Sequence, residues 1–144
     1  MSIWTHVIGG IRLDSFEFQK TDESKLKKIF IQSTFYNYNE KCNMPCGSEG
    51  SIRYKIIKND EESCLNKCQI ALWGDLRDYD SDRIKKEFKI WLESVKKKLN
   101  KEGFLIRQLI LTAECEDGVI TTYRLNEYDG EILEQEKQKW KKYV

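Results

Sequence analysis

One amphipathic stretch constrains the fold of this chain more than any other feature of its sequence. Between positions 84 and 99 the large apolar residues recur at intervals of three and four, which is the spacing of one helix face. They are Ile84, Phe88, Trp91, Leu92, Val95 and Leu99. The run Lys96-Lys97-Lys98 is typical of a solvated helix face, and Gly103 predicts where the helix ends. The sequence therefore predicts one long helix with its apolar side in the core.

Segments of alternating polar and apolar residues lie on both sides of this helix and predict strands. They cover positions 4–13, 51–58, 68–74, 105–116 and 119–125, with Asp117-Gly118 as a tight hairpin turn between the last two. A first helix, capped by Thr21 or Asp22, is predicted after the first strand. A short charged helix is predicted over Glu131 to Val144, and positions 35–43 are left unassigned.

The order of these elements predicts the fold class. Strand, helix, strand, strand, helix, strand is the ferredoxin-like βαββαβ pattern, an α+β fold in which two helices cover one face of an antiparallel sheet. An extra C-terminal hairpin strand and a short tail helix are expected to follow it. With 144 residues, the chain has the length of a single domain spanning positions 1–144.

Several classes of protein are disfavoured by composition. No segment approaches the roughly 18 apolar residues of a membrane span, so no membrane partner is expected. The N-terminal residues alternate and do not form the apolar run of a signal peptide, so we expect a cytoplasmic, soluble protein. With 25 basic and 24 acidic side chains, the chain has no broad positive charge for binding duplex nucleic acid.

A turn-rich loop between positions 42 and 51 is the main candidate for a binding site. It contains the only proline of the chain and leads directly into a strand. A sequence of this kind can turn consecutive backbone N–H groups toward an anion, so we predict a ligand site formed by Gly47, Ser48, Glu49, Gly50 and Ser51. The alternative is that Pro45 and the two glycines only make a tight turn before the strand.

Four residues outside the loop complete the predicted ligand site. Arg53 or Arg77 would neutralise a phosphate or nucleotide, and Trp73 or Tyr79 would stack on a base. Glu49 would repel a phosphate unless it points outward or bonds a ribose or amino group.

The cysteines raise the question of a metal. Cys42, Cys46, Cys64 and Cys68 form two C-x3-C pairs, a spacing that zinc sites permit but do not require. The alternative is that they are buried or idle thiols. No cofactor is predicted.

Catalysis is weakly supported. The only histidine, His6, lies in a strand, and a contact with Cys46 would be needed for a dyad. An acidic cluster between Asp75 and Asp82 lacks the pattern of a calcium loop, and Asp80 or Ser81 is more simply a helix cap. No catalytic residue is assigned.

Strand alternation also predicts which side chains lie on the sheet face that the helices leave open. Two tryptophans on such a face indicate an interface, most simply a homo-oligomer. The predicted interface residues are Trp4, His6, Trp73 and Ile110.

Three short passages of the chain resemble uncharacterised small proteins of tailed phages and prophages. They are residues 45–51 (PCGSEGS), residues 73–79 (WGDLRDY) and the N-terminal Trp4-Thr5-His6-Val7. The resemblance implies a role in the contest between phage and host, inside the host cytoplasm. Small non-enzymatic proteins there bind host defence proteins or the nucleotide signals that defence systems use.

The function expected from all of this is that of a small non-enzymatic protein that sequesters an anionic, nucleotide-type ligand. A protein inhibitor or adaptor that acts on a host defence protein through the open sheet face is one alternative. A small enzyme that uses His6 and Cys46, or the acidic cluster, is the other.

Overall fold

The structure, a computed structural model, describes residues 2–14, 20–31, 44–58 and 66–139. Within these ranges it contains six strands and two helices. In chain order they are β1 (Trp4–Asp14), α1 (Lys20–Ile29), β2 (Arg53–Lys58), β3 (Asn66–Arg77), α2 (Ser81–Lys101), β4 (Leu105–Cys115), β5 (Val119–Leu125) and β6 (Ile132–Gln138).

All six strands form one open antiparallel sheet. Their order across the sheet is β2-β3-β1-β4-β5-β6, so β1 lies between β3 and β4 and pairs with both along nearly its whole length. The α+β class is therefore confirmed. The predicted ferredoxin-like pattern does not match the sheet as a whole, because β5 and β6 extend it to six strands.

The long helix α2 forms where the apolar spacing predicts it. Asp80 caps its N-terminus by accepting a hydrogen bond from the Arg83 N–H at 2.9 Å, which satisfies one of the donors that a helix start leaves unpaired. Gly103 follows the helix with a φ of +84°, a conformation that glycine adopts without strain. All six residues of the predicted stripe are buried.

The helix α1 occupies the predicted region with different limits. It begins at Lys20, so Thr21 and Asp22 lie within its first turn and do not cap it. Its buried residues are Leu26 and Ile29, with Phe30 just after the helix.

No helix in the described ranges has both the length and the apolar character needed to cross a membrane. The unassigned positions 35–43 lie outside the described residues.

Both helices contribute to one core on one side of the sheet. The strands bury alternate residues against them, as Val7, Ile11 and Leu13 do in β1 and Leu109, Leu111 and Ala113 do in β4. The residues between these positions point to the opposite side, here called the open face. Trp4, His6 and Ile8 lie on it in β1, as the alternation predicts.

The C-terminal segment differs from its prediction. Positions 132–138 form the strand β6, not a helix, and pair with β5 from Val119↔Gln138 to Leu125↔Ile132. A turn closed by the Asn126 N–H to the Glu131 carbonyl, with Gly130 at a φ of +71°, reverses the chain beforehand. Pairing with the free edge of β5 outweighs the helix preference of the glutamates and lysines in this segment.

Replacing Trp91 by alanine tests the packing role of α2. The Trp91 side chain is fully buried, so we expect the substitution to lower the free energy of unfolding by about 3 to 5 kcal/mol through lost burial and a cavity. Thermal unfolding should show a fall in Tm of roughly 10 °C. Ile90→Ala, one residue earlier on the exposed side, should change stability by less than about 0.5 kcal/mol. Equal Tm values for the two variants would contradict this packing.

Candidate functional site

The predicted binding loop is a short hairpin that precedes β2. Cys46 pairs with Ser51, the Gly47 N–H donates to the Gly50 carbonyl at 2.9 Å, and the Ile52 N–H donates to the Pro45 carbonyl at 3.4 Å. Met44, Cys46 and Ile52 are buried, while Ser48, Glu49 and Gly50 at the tip are exposed. We call residues 44–52 the loop hairpin. It is anchored in the core at its base and exposed to solvent at its tip.

Backbone contacts fix the tip of the loop hairpin to the end of β3. The Ser48 N–H donates to the Arg77 carbonyl at 2.9 Å, and the Arg77 N–H donates to the Glu49 carbonyl at 3.0 Å. The Ser48 hydroxyl donates to the Asp78 carboxylate at 2.6 Å. These bonds hold the loop by its backbone and by one short side chain, so its position depends little on flexible groups.

Glycine is required where the loop hairpin and β3 meet. A Cβ atom at Gly74 would lie 2.5 Å from the Ser51 carbonyl oxygen and 2.9 Å from the Ile52 Cα, both backbone atoms. A Cβ at Gly50 would overlap the Asp75 carbonyl oxygen, and Gly50 also has a φ of +77°. Gly50 and Gly74 therefore permit the close approach of the two backbones.

A concavity of about 610 Å³ lies between the loop hairpin and the open face. The loop residues form one wall, and side chains from β1, β2 and β3 form the other. The lining residues are Trp4, Cys46, Gly47, Ser48, Glu49, Gly50, Ser51, Arg53, Trp73, Gly74 and Asp75. Seven of the nine predicted ligand residues thus line a single concavity, namely Gly47 to Ser51, Arg53 and Trp73.

The carboxylates around this concavity are paired with basic groups. Glu49 accepts a hydrogen bond from the Arg77 guanidinium at 2.6 Å, and Arg77 also donates to the Ser2 hydroxyl at 3.0 Å. Asp75 is 2.6 Å from Nδ1 of His6. The Arg53 side chain is exposed and has no hydrogen-bond or ion-pair partner in the described part of the chain. Arg53 is therefore the cation in the concavity that a ligand anion could bind.

The loop offers fewer backbone donors than its sequence suggests. The Gly47 N–H donates a hydrogen bond to the Gly50 carbonyl, and the Ser48 N–H donates one to the Arg77 carbonyl. For the N–H groups of Glu49 and Gly50, the described residues supply no acceptor. A ligand at this loop would thus find two adjacent N–H groups, not a cradle of four or five.

Two predicted ligand residues lie elsewhere. Tyr79 is fully buried; its hydroxyl donates to Glu87, and the Arg83 guanidinium lies 4.9 Å from its ring centre. Burial raises the pKa of the Tyr79 hydroxyl far above its ordinary value. The Tyr79 ring cannot stack on a ligand. Arg77 does not line the concavity, and its guanidinium holds Glu49 in place instead.

The structure separates the groups that a catalytic site would need. Cys46 is buried in the loop hairpin, whereas His6 lines a smaller concavity with Glu114 and Lys139. The predicted acidic cluster is dispersed: Asp75 is bonded to His6, Asp78 accepts from Ser48, and Asp80 caps α2. The enzyme alternative gains no support from these positions.

Two of the four cysteines of the metal alternative lie within the described residues. Cys42 and Cys64 lie outside the described residues, while Cys46 and Cys68 are buried. Burial raises the pKa of the Cys68 thiol to about 11, which keeps it in its inert protonated form at neutral pH. Within the ranges that the structure describes, no group of three His, Cys, Asp or Glu side chains lies close enough to hold a metal ion.

The four predicted interface residues all belong to the open face. His6 and Trp73 are exposed, and Trp4 and Ile110 are half-buried. Two of them, Trp4 and Trp73, also line the concavity, so a ligand and a partner subunit would compete for the same rings.

Four lining residues were not among the predicted ligand residues, namely Trp4, Cys46, Gly74 and Asp75. Trp4 reaches the concavity because β1 pairs with β3 in the register Trp4↔Arg77 and His6↔Asp75. This register joins residues about 70 positions apart, and no local pattern encodes it. Asp75 lay within a predicted acidic cluster, but nothing in the sequence around His6 indicated that the two side chains would be in contact.

The fold and this site together define an α+β protein with a polar, aromatic concavity at one end of its open sheet face. Comparisons with family models, with curated proteins and with solved structures find no match for this chain. The function must therefore be inferred from the chemistry of the site itself.

Replacing Gly50 by alanine tests the docking of the loop hairpin. The matched control is Gly130→Ala, since Gly130 has a similar φ of +71° but no atom within 4 Å of the added Cβ. Both variants strain the backbone, and only Gly50→Ala also creates a clash. We expect Gly50→Ala to lower the free energy of unfolding by about 1 to 3 kcal/mol more than the control does. The difference would appear in urea unfolding midpoints, and equal midpoints would show that the contact is loose.

Proposed function

We propose that this protein is a non-enzymatic binding protein that holds a small anionic, nucleotide-type ligand in the concavity beside the loop hairpin. The observation that carries the proposal is the convergence of an exposed cation, Arg53, with two indole rings, Trp4 and Trp73, in one recess. Such a combination suits a ligand that has both a negative charge and a planar ring.

The aromatic part of the site supports a base. Trp73 is 42% exposed although it lies in the middle of a sheet, and Trp4 is half-buried at the same end of the open face. Exposed indole rings are costly to leave in water, and they stack on any nucleobase because every base has a π-face. The base is expected to lie against Trp73, which is paired with Arg53 across β2 and β3.

The charges support one phosphate group near Arg53. Because Glu49 is ion-paired with Arg77, its repulsion of an anion is reduced. Asp75 is hydrogen-bonded to His6. The guanidinium of Arg53 can form a bidentate pair with phosphate oxygens. The free N–H groups of Glu49 and Gly50 could supplement this pair from the loop side.

The fold supports a finer assignment within this proposal. The strand order β2-β3-β1-β4 and the element order from β1 to β4 fit a ferredoxin-like unit to which β5 and β6 add an edge. In such a unit the helices cover one sheet face and leave the other for binding. The biological role that we propose is the one implied by the resemblance to phage proteins, namely sequestration of a nucleotide signal.

Calorimetry against a panel of mono-, di- and cyclic nucleotides tests this function. We expect binding heat with at least one member of the panel. Arg53→Ala should weaken that binding tenfold or more, because a hydrogen bond to a charged group contributes about 1.5 to 3 kcal/mol. Trp73→Ala should weaken it by a similar factor through lost stacking.

The matched control is Arg124→Ala. Arg124 is an exposed arginine on the same sheet but in β5, and it does not line the concavity. Its substitution should leave nucleotide affinity unchanged. Absence of heat with every nucleotide would overturn the proposal, as would equal weakening by Arg53→Ala and Arg124→Ala.

A further inference from the structure

The open face has a second feature that extends well beyond the concavity and shares Arg53 and Trp73 with it. The strand registers arrange its side chains in rows across the sheet. One row runs through Ile8 and contains Arg53, Trp73, Thr112 and Thr122. The next row runs through Gly10 and contains Lys55, Ala71, Ile110 and Arg124. A third row, through Arg12, contains Ile57, Gln69 and Gln108. We call these three rows the basic face.

The basic face contains positive side chains and no carboxylate. Arg53, Lys55 and Arg124 are exposed, and none of the three side chains has an ion-pair or hydrogen-bond partner in the described ranges. Among the described residues of the open face, the nearest carboxylates lie in the neighbouring rows, where they are already engaged. Asp75 is bonded to His6 and Glu114 to Lys139, while Asp14, beyond Arg12, accepts from Arg107 at 2.6 Å. The chain is close to neutral overall, so this separation of charge is a local property of one surface.

Apolar groups lie among these cations. Ile8 is 70% exposed and Trp73 is 42% exposed, and the two are direct partners across β1 and β3. Gly10 and Ala71, paired in the next row, have no bulk above the sheet. The centre of the basic face is therefore a platform in which exposed apolar side chains, including an indole ring, lie beside small residues, and cations on β2 and β5 edge it.

We propose that the basic face binds single-stranded nucleic acid. Its cations match a chain of phosphates, and its indole ring and flat centre match unstacked bases. Lys55 and Arg124 lie four strands apart, or about 19 Å at the usual strand spacing, so the ligand extends over several nucleotides. The strand crosses the sheet from β2 to β5, with one base on Trp73 and phosphates near Lys55 and Arg124.

Charge and shape select this ligand over other occupants. If two copies of the chain met through their basic faces, the cations of one copy would lie opposite those of the other unless the copies were displaced along the strands. Like charges in an interface weaken binding. A duplex keeps its bases stacked, so it cannot use the ring of Trp73. An extended single strand can place its phosphates at the cations and an unstacked base on the Trp73 ring.

This inference goes beyond the nucleotide site and is tested separately from it. Lys55 and Arg124 do not line the concavity, so removing them leaves the proposed nucleotide site complete. Fluorescence anisotropy with labelled 12-nucleotide oligouridine and oligothymidine measures strand binding. Calorimetry with the best nucleotide measures the concavity in the same protein.

The decisive variant is Lys55→Ala/Arg124→Ala, and its matched control is Lys86→Ala/Lys89→Ala on the exposed side of α2. We expect the first to weaken oligonucleotide binding about tenfold or more, without changing nucleotide affinity, and the second to change neither. Binding by the unmodified protein should weaken about tenfold between 50 and 200 mM salt, as expected for two or three phosphate contacts to a single strand. The oligouridine and oligothymidine arms report whether the 2′-hydroxyl contributes.

Any one of four results would overturn the inference. The first is the absence of any anisotropy change at low salt. The second is equal weakening by the two double variants, which would show binding by overall charge. The third is tighter binding of a duplex of the same length. The fourth is a stable dimer that excludes the oligonucleotide and that Ile8→Asp dissociates.

Discussion

The position of β1 at the centre of the sheet is the constraint on which the other features depend. Because β1 lies between β3 and β4, the connection from β1 to β2 must pass over β3, and the connection from β3 to β4 must pass over β1. Both helices lie on the same side and bury that side in a single core. The other side is left without cover by the described residues. The concavity and the basic face are both consequences of this arrangement.

The features that could be predicted from sequence are those encoded locally. The stripe from Ile84 to Leu99 specifies α2, and alternation specifies which residues of β4 point into the core. The tail could not be predicted from its own residues, because β6 is stabilised by pairing with β5 and its glutamates and lysines favour a helix in isolation. The turn residues between Asn126 and Gly130 were the available signal.

The candidate site shows the same division. The loop with its glycines is visible in the sequence, and the expectation that it lies beside Arg53 and Trp73 agrees with the register of β2 and β3. Alternation continued past the end of β3 would put Tyr79 on the same side as Trp73 and Arg77. Asp78 has a φ of +55°, which ends the strand and turns Tyr79 into the core. A single residue in the left-handed region thus changes the side on which the next ring lies.

The composition of β6 has a consequence for how this sheet avoids aggregation. An edge strand exposes unpaired N–H and C=O groups to which a strand of another molecule can add. After Ile132, every residue of β6 is exposed, and the strand reads Leu-Glu-Gln-Glu-Lys-Gln. Successive charged and amide side chains along an edge oppose the addition of a further strand, since the incoming chain would have to bury them. The β6 edge of this sheet is thereby made unfavourable for β-sheet polymerisation.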